Sequence, residues 1–123
     1  MNYNFIGIDH VQLAAPPGCE EKAREFYGEI LGLTEIDKPE NLKGRGGCWF
    51  KCGNHEIHIG VQENFIPAKK AHPAFSINNL TEYKNCLITK QVTIKEDAPI
   101  KGRSRFFIDD PFGNRIEFLE YEI

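Results

Sequence analysis

Hydrophobic and polar residues alternate along several short stretches of the chain, which is the pattern of half-buried β-strands. Two other segments place their apolar residues at helical spacing instead, one over Glu20–Leu31 and one that follows Asn79. In the second helix, Asn79 is the predicted N-cap and Glu82 its capping-box partner. The predicted strands are Ile6–Ala15, a weak one at Leu33–Ile36, Cys48–Cys52, His55–Val61, His72–Asn78, Val92–Ile94, and two within Arg105–Glu120.

The stretch Arg105–Glu120 predicts two strands joined by a tight turn. Asp110–Asn114 contains the proline, glycine and asparagine that such turns favour. In the second strand Ile116 and Phe118 alternate with Glu117, so the carboxylate lies on the opposite face from these two apolar side chains. A carboxylate in the middle of a strand is costly to desolvate unless a positive group meets it. We therefore expect a positive partner for Glu117.

The order of the predicted elements repeats. Each half reads strand, helix, strand, strand, strand, which an internal duplication explains economically. The sequence thus predicts an α+β fold within one domain, residues 1–123, built from a first βαβββ module over 1–66 and a second over 67–123. A polar, glycine-containing stretch, Asp37–Gly47, is predicted to be a mobile loop at the mouth of the site.

Composition narrows the class of protein. A chain of 123 residues is long enough for one domain with a substantial core. A net charge of −3 gives no basic surface for nucleic acid or an anionic membrane. Since there is no long apolar run and no signal-peptide pattern, we expect a cytoplasmic protein. The four cysteines show neither disulfide nor zinc-ribbon spacing and are expected to be reduced.

Four potential metal ligands occupy matched places in the two halves. His10 and His72 lie on the polar face of the first strand of their halves. His58 and Glu117 lie on the polar face of the last strand, each after a Gly-Asn turn. If these faces meet in a cup between the halves, three imidazoles and a carboxylate can bind one divalent ion such as Zn²⁺, Fe²⁺, Mn²⁺, Ni²⁺ or Co²⁺. Glu56 shares the face of His58 and is the other candidate for that position.

The chain resembles the vicinal oxygen chelate superfamily of glyoxalases, bleomycin-resistance proteins and extradiol dioxygenases. The motifs that carry the resemblance are IDHVQL, FYGEILGL, AHPAF and DPFGNRIEFLE. The resemblance implies two βαβββ modules that form a cup-shaped mixed sheet with helices on its outer face. It implies metal ligands at His10, His72 and Glu117, with a last-strand residue of the first module as a possible fourth. Glyoxalase I commonly has glutamate at that fourth position, whereas this sequence has His58.

The residues and the resemblance together imply two functions of different classes, a metal enzyme and a metal-free binding or resistance protein of the bleomycin-resistance type. The first is a metal-dependent enzyme of lyase, isomerase, thiol transferase or dioxygenase type, whose substrate chelates the metal through adjacent oxygens and whose Glu117 acts as a base. The second is a metal-free protein that binds a small molecule in the cup. Arg105 is a candidate for holding an anionic substrate, or else a solvated rim arginine or a salt-bridge partner. Trp49 and Phe107 either line the substrate pocket or only pack. The resemblance and the sheet edges also predict a homodimer.

Overall fold

The computed structural model describes residues 2–123, which form two halves of similar element order. The first half contains β1 (His10–Ala15), α1 (Glu20–Ala23, continued by a π-helical stretch over Arg24–Ile30), β2 (Thr34–Ile36), a 3-10 helix (Glu40–Arg45), β3 (Cys48–Cys52) and β4 (His55–Val61). The second half contains β5 (Ala74–Ser76), α2 (Leu80–Thr89), β6 (Arg103–Asp109) and β7 (Arg115–Tyr121).

The strands form two mixed sheets, one from each half. The first sheet has the order β1-β4-β3-β2, and the second has the order β5-β7-β6. β1 is parallel to β4 and β5 is parallel to β7, whereas the remaining neighbours are antiparallel. β1 and β5 are therefore edge strands in corresponding places. The predicted α+β class is confirmed, with the strands divided between two sheets.

Three predicted strands differ from the structure, one of them being His72–Asn78, which is shortened to β5 (Ala74–Ser76). Val92–Ile94 forms no strand, and the chain there contributes a single bridge between Lys95 and Phe107. β1 begins at His10 rather than Ile6, because its partner β4 begins at His55 and offers no backbone beyond that point. The described residues before β1 therefore belong to no strand, and the side chains of Phe5 and Ile6 are fully exposed.

Both helices pack on the same side of their sheets. Tyr27 in the π-helical stretch contacts Phe50 of β3, with ring centroids 5.7 Å apart. Tyr83 of α2 contacts Phe118 of β7, at 5.2 Å. One continuous core joins the two halves, and each large apolar side chain buried in it contributes about 1.5–3 kcal/mol. None of the helices within residues 2–123 has the length or apolar character needed to cross a bilayer.

A buried polar network ties the halves together at the turn between β6 and β7. The Tyr27 hydroxyl donates to Oδ2 of Asp110 at 2.6 Å. The backbone N–H groups of Phe112 and Asn114 donate to Oδ1 of the same carboxylate. The Asn114 side-chain amide donates both to Oδ2 of Asp110 and to the carbonyl of Ala14 in β1. Burial, reinforced by the charge of Asp110, raises the pKa of Tyr27 well above its usual value.

The N-terminus of α2 is capped by a residue that the sequence pattern did not indicate. Asn79 has a left-handed backbone conformation, and its side chain makes no capping hydrogen bond. The carboxylate of Glu120 instead accepts the backbone N–H groups of Asn79 and Leu80, each at 3.0 Å. The predicted capping box with Glu82 is therefore wrong, because a carboxylate from β7 satisfies these donors.

The stretch predicted to be a loop, Asp37–Gly47, contains the 3-10 helix and two attachments to the rest of the fold. Lys38 donates to the carbonyl of Gly46, and the N–H of Gly47 donates to the Glu20 carboxylate at 2.6 Å. This second bond lowers the pKa of Glu20, so the contact stabilises the fold at neutral pH and is lost as acid protonates the carboxylate. The mobility of the stretch stays a prediction.

All four cysteines are free thiols. Cys19 and Cys48 are buried, Cys52 is partly buried and Cys86 is exposed. Burial raises the pKa of Cys48 to about 11. Because the thiolate is the reactive form, the buried thiols have a packing role.

Candidate metal and substrate site

The strand register places the four predicted ligands in equivalent positions of the two sheets. Gln12 of β1 lies beside His58 of β4, and Ala74 lies beside Glu117 of β7. His10 precedes Gln12 by two residues, and His72 precedes Ala74 by two residues. His10 therefore corresponds to His72, and His58 corresponds to Glu117. These side chains share the face of their sheet that turns away from the helices, here called the site face.

On the second sheet, His72 and Glu117 form a close pair. Nε2 of His72 lies 2.9 Å from Oε1 of Glu117, and Nδ1 lies 2.8 Å from the carbonyl oxygen of Lys70. Both ring nitrogens therefore face acceptors. With its proton on Nδ1, the ring directs the Nε2 lone pair at a carboxylate oxygen, which requires a second proton or a cation between them. Glu117 is nearly enclosed, with 8 % of its side-chain surface exposed.

The separation of these two donor atoms also suits metal binding. Imidazole nitrogen and carboxylate oxygen bind Zn²⁺ at about 2.0–2.2 Å, so two such donors lie about 3.4 Å apart in a tetrahedral site and about 3 Å apart at the right angles of an octahedral one. The hydrogen bond from Nδ1 of His72 to the Lys70 carbonyl is the outer contact that typically orients a metal-binding histidine. The chemistry and spacing of this pair therefore fit a divalent cation.

On the first sheet, three rings form a stack. The rings of Trp49 and His58 lie 3.7 Å apart and nearly parallel, and His10 stacks on the other side of His58 at 4.0 Å. The sandwich buries His58, whose Nε2 lies 2.9 Å from Oε1 of Glu56. Glu56 thus contacts the His58 ring directly.

His10 is anchored by its neighbour in the sequence. Its Nδ1 lies 2.8 Å from Oδ2 of Asp9, and this hydrogen bond lowers the pKa of the Asp9 carboxyl. With the proton on Nδ1, the contact leaves the Nε2 lone pair of His10 free to bind a metal ion. A carboxylate that holds the far nitrogen of a histidine is common around metal ligands.

The structure brings the predicted ligands together in pairs rather than as one set. His10 contacts His58 on the first sheet, and His72 contacts Glu117 on the second. Within residues 2–123, no three His, Cys, Asp or Glu side chains lie close enough to hold a metal ion. One chain by itself therefore offers two half-sites.

The predicted substrate-binding residues divide in the same way. Trp49 lies against the first half-site, and Phe107 lies against the second, where its ring meets His72 edge-on at 5.2 Å. Arg105 lies near Glu117, with Nη1 at 3.6 Å from Oε2, and only 14 % of its side-chain surface is exposed. Arg105 is therefore a partly enclosed residue in ion-pair range of Glu117, which is the salt-bridge alternative, and not a solvated rim residue.

Sequence reasoning missed Asp9 and Arg115. Asp9 immediately precedes His10 in the sequence. This position was the one feature from which its contact with the His10 ring could have been predicted. Arg115 shares strand parity with Glu117, and its guanidinium lies 4.0 Å from the centre of the Phe107 ring. The contact between His72 and the Lys70 carbonyl could not be predicted from the sequence, because any residue can supply a backbone acceptor and only the fold shows which one does.

A cavity of about 950 Å³ lies between the edge strands β1 and β5. One imidazole from each half-site lines it, His10 and His72, together with Glu56. The remaining lining is largely apolar and includes Val11, Leu13, Ile57, Phe65 and Phe75. This size and this mixture of apolar walls with a few polar groups are typical of a small-molecule site.

Comparison with known proteins agrees with the fold and the motifs. Residues 7–118 match the family model described as the Glyoxalase/Bleomycin resistance protein/Dioxygenase superfamily. The match covers most of the chain, so the protein belongs to this superfamily. The resemblance inferred from the motifs is thereby confirmed. Comparison with curated protein sequences returns no significant match.

Solved structures add one near relative and several distant ones. A glyoxalase family protein from Bacillus anthracis is 58 % identical, with a TM-score of 0.96 over 99 % of this chain and 100 % of that one. A lactoylglutathione lyase from Agrobacterium tumefaciens is 21 % identical, with a TM-score of 0.76 over 96 % of each chain. A glyoxalase/dioxygenase from Nostoc punctiforme is 20 % identical, with a TM-score of 0.79 over 98 % of this chain and 94 % of that one. The two distant structures establish the shared fold alone.

Proposed function

We propose that the protein is a divalent-metal enzyme whose small substrate chelates the metal through two adjacent oxygens. The donors are His10, His58, His72 and Glu117. The observation that carries the proposal is the His72–Glu117 pair, in which Nε2 of the ring faces a nearly enclosed carboxylate while Nδ1 is already bonded to the Lys70 carbonyl. A cation satisfies both acceptors without leaving a buried charge unpaired.

The chemistry divides between the cation and the side chains around it. A divalent cation at these donors would supply Lewis acidity toward a substrate with vicinal oxygens. The Glu117 carboxylate would accept a proton from the substrate as general base, and its burial, with 8 % of the side-chain surface exposed, limits its contact with bulk water. This arrangement suits lyase or isomerase, thiol transferase and dioxygenase reactions. We also propose a cytoplasmic location, a compartment in which cysteines stay reduced.

Replacing Glu117 with glutamine tests the donor assignment. The change keeps the shape of the side chain but removes its charge, and an amide oxygen is a poor ligand for a divalent cation. We expect the wild-type melting temperature to rise with added Zn²⁺, Mn²⁺, Ni²⁺, Co²⁺ or Fe²⁺, and Glu117→Gln to weaken metal binding by more than about tenfold. The metal-free variant should be as stable as the wild type or slightly more so.

The control is Glu122→Gln, which makes the same substitution at an exposed position near the end of the chain. It should leave the metal-dependent rise unchanged. A wild type without any such rise, or the same rise in Glu117→Gln, would contradict the assignment of Glu117 as a ligand.

A metal-free binding protein is the second candidate function. The specific observation in its favour is that no three donor side chains within residues 2–123 come into coordinating reach, while the Glu117 carboxylate already faces Arg105 at 3.6 Å. On this alternative, the cavity takes a small molecule without a cation. Metal analysis of protein purified without chelator distinguishes the two candidate functions. The enzyme proposal expects about one bound ion for each set of four donors, whereas the binding-protein alternative expects none.

We further propose a homodimer that brings the first half-site of one copy to the second half-site of its partner. β1 and β5 are open edges in corresponding places, and sheet edges favour pairing or coverage. The exposed apolar residues Phe5 and Ile6 precede β1 and favour burial in a contact. Such a dimer would bring together the metal-donor side chains that lie apart in a single chain.

Sedimentation equilibrium at micromolar concentration tests this assembly, and we expect twice the chain mass. Phe5→Asp should shift the protein toward monomer, because a charge there opposes burial of the segment that precedes β1. Ile88→Asp is the matched control, since Ile88 is also an exposed apolar residue but lies on α2. Monomer alone in the wild type, with or without Zn²⁺, would rule out the dimer.

A further inference from the structure

Each of the three histidines on the site face has one ring nitrogen held by an oxygen atom. Nδ1 of His10 and Nδ1 of His72 each lie 2.8 Å from such an oxygen. In His58 the held atom is Nε2 instead, which lies 2.9 Å from Oε1 of Glu56. His58 therefore differs from the other two histidines in which of its nitrogens is engaged.

An oxygen acceptor fixes the position of the proton on a neutral imidazole. An ionised carboxylate or a backbone carbonyl accepts hydrogen bonds but donates none, so the ring nitrogen that faces it carries the hydrogen. Nε2 of His58 is therefore the protonated nitrogen, and Nδ1 holds the lone pair. In His10 and His72 the assignment is reversed, and the lone pair is on Nε2.

The stack of rings cannot select between the two orientations of the His58 imidazole. Trp49 lies 3.7 Å from His58 with 3° between the ring planes, and this contact fixes the plane of the imidazole. A half turn of the imidazole about its bond to Cβ keeps that plane and exchanges the two edges of the ring. The Glu56 carboxylate distinguishes the two orientations, because its hydrogen bond is made with Nε2.

The strand register places Glu56 beside the donor position rather than in it. Glu56 precedes His58 by two residues on β4, so both side chains lie on the site face. His58 is equivalent to Glu117, whereas Glu56 corresponds to Arg115 of the second half. The bond to His58 is the one hydrogen bond that the Glu56 side chain makes within residues 2–123.

Nδ1 of His58 is open to another group. It has no hydrogen-bond partner in the described part of the chain, where Nε of Arg105 is the one fully enclosed side-chain polar atom that lacks a partner. Nδ1 therefore keeps contact with the surface, although only 4 % of the His58 side chain is exposed.

We propose that Glu56 is a positioning residue, which holds His58 as the Nε2–H tautomer and so makes Nδ1 the atom that binds the metal ion. His10 and His72 present Nε2 instead. A carboxylate in this outer position orients a ligand and raises the basicity of its ring. The inference rests on the proposed metal enzyme for the bound ion, but the tautomer of His58 is also defined in metal-free protein.

The ring that moves on metal binding is His10. Two imidazoles that are nearly parallel and 4.0 Å apart cannot direct their in-plane lone pairs at one ion about 2 Å from each. The His10 side chain is 42 % exposed and is held by an exposed carboxylate, Asp9, so it can turn out of the stack. Trp49 and Glu56 hold His58 in place.

NMR of protein with isotope-labelled histidine detects the tautomer directly. The chain has four histidines, and a His58→Gln variant identifies the ring signals of His58. In metal-stripped protein at about pH 8.5, where neutral imidazole is observed, we expect the proton of His58 on Nε2. With a spin-active isotope of Cd²⁺ as the probe, we expect coupling to Nδ1 of His58 and to Nε2 of His10 and His72.

Two substitutions of Glu56 separate its hydrogen bond from its charge. Glu56→Ala removes the acceptor, so we expect a mixture of tautomers at His58 and a loss of Zn²⁺ affinity of about tenfold or more. Glu56→Gln removes the charge but keeps a carbonyl oxygen for Nε2–H, and it should retain the tautomer with a smaller loss of about threefold. Glu63→Ala is the matched control, since Glu63 is exposed and does not line the cavity, and it should change neither quantity.

A proton on Nδ1 of His58 in the metal-stripped wild type, Cd²⁺ bound to its Nε2 or not bound to His58, or equal losses in Glu56→Ala and Glu56→Gln would overturn the inference. Its failure differs from that of the proposed function. Metal binding together with any of these results removes the role of Glu56 and leaves a metal enzyme. A tautomer that depends on Glu56 in a protein that binds no metal removes the enzyme proposal and leaves Glu56 as the residue that positions the ring.

Discussion

Asp110→Ala will lower the free energy of unfolding by about 4 kcal/mol, because it removes the acceptor of a buried network. Its carboxylate accepts hydrogen bonds from the Tyr27 hydroxyl, from the Asn114 side chain and from two backbone N–H groups. Substitution by alanine leaves these donors without a partner in the interior, where each unmade bond costs about 1–3 kcal/mol before relaxation. Urea denaturation followed by circular dichroism measures the loss.

Asp109→Ala is the matched control, at the neighbouring position in the same chain. Asp109 is exposed and its partner is Lys95, so its removal should cost less than about 1 kcal/mol. Similar losses for the two variants would show that the network contributes little. The network also matters for the site, because Asn114 connects the β1 carbonyl of Ala14 to the start of β7. Its loss should loosen the placement of the two half-sites relative to each other.

Gly47→Ala is expected to cost more than about 3 kcal/mol or to prevent folding. Gly47 has a φ of +83°, and an added Cβ would lie 2.0 Å from the backbone oxygen of Ile59. A contact this short with a backbone atom of β4 cannot be relieved by rotating a side chain. The strand pair β3–β4, which positions Trp49 beside His58, would have to separate.

The control Gly102→Ala separates the effect of the steric clash from the effect of the left-handed backbone conformation. Gly102 has a φ of +89°, close to that of Gly47, but an added Cβ there meets nothing within 4 Å. It should cost only the left-handed strain of about 1–2 kcal/mol. Equal denaturation midpoints and slopes for the two variants would contradict the steric argument.

The site faces of the strands were accessible to sequence reasoning because strand parity is a local property. Alternation places Arg105 and Phe107 on one face of their strand, and the register of β6 with β7 puts Glu117 on that same face. The strand registers of the two sheets also agree with the match between the halves that the sequence predicts, since His58 and Glu117 occupy equivalent positions. Their role as metal ligands stays a prediction.

Contacts between distant parts of the chain were not accessible in this way. The Glu120 carboxylate caps α2 from across the second sheet, and no pattern near Asn79 reveals it. The strand predicted at Val92–Ile94 has the right composition but finds only one bridge, at Lys95. Pairing depends on the neighbouring backbone, which local propensity does not describe.

The ring stack on the first sheet has an optical consequence. Trp49 is the single tryptophan of the chain, and its indole lies flat against the His58 ring at 3.7 Å. A proton or a cation arriving at His58 changes the charge next to the indole, to which the electron-rich indole face responds. The intrinsic fluorescence of the unlabelled protein is therefore a direct signal of the state of this half-site.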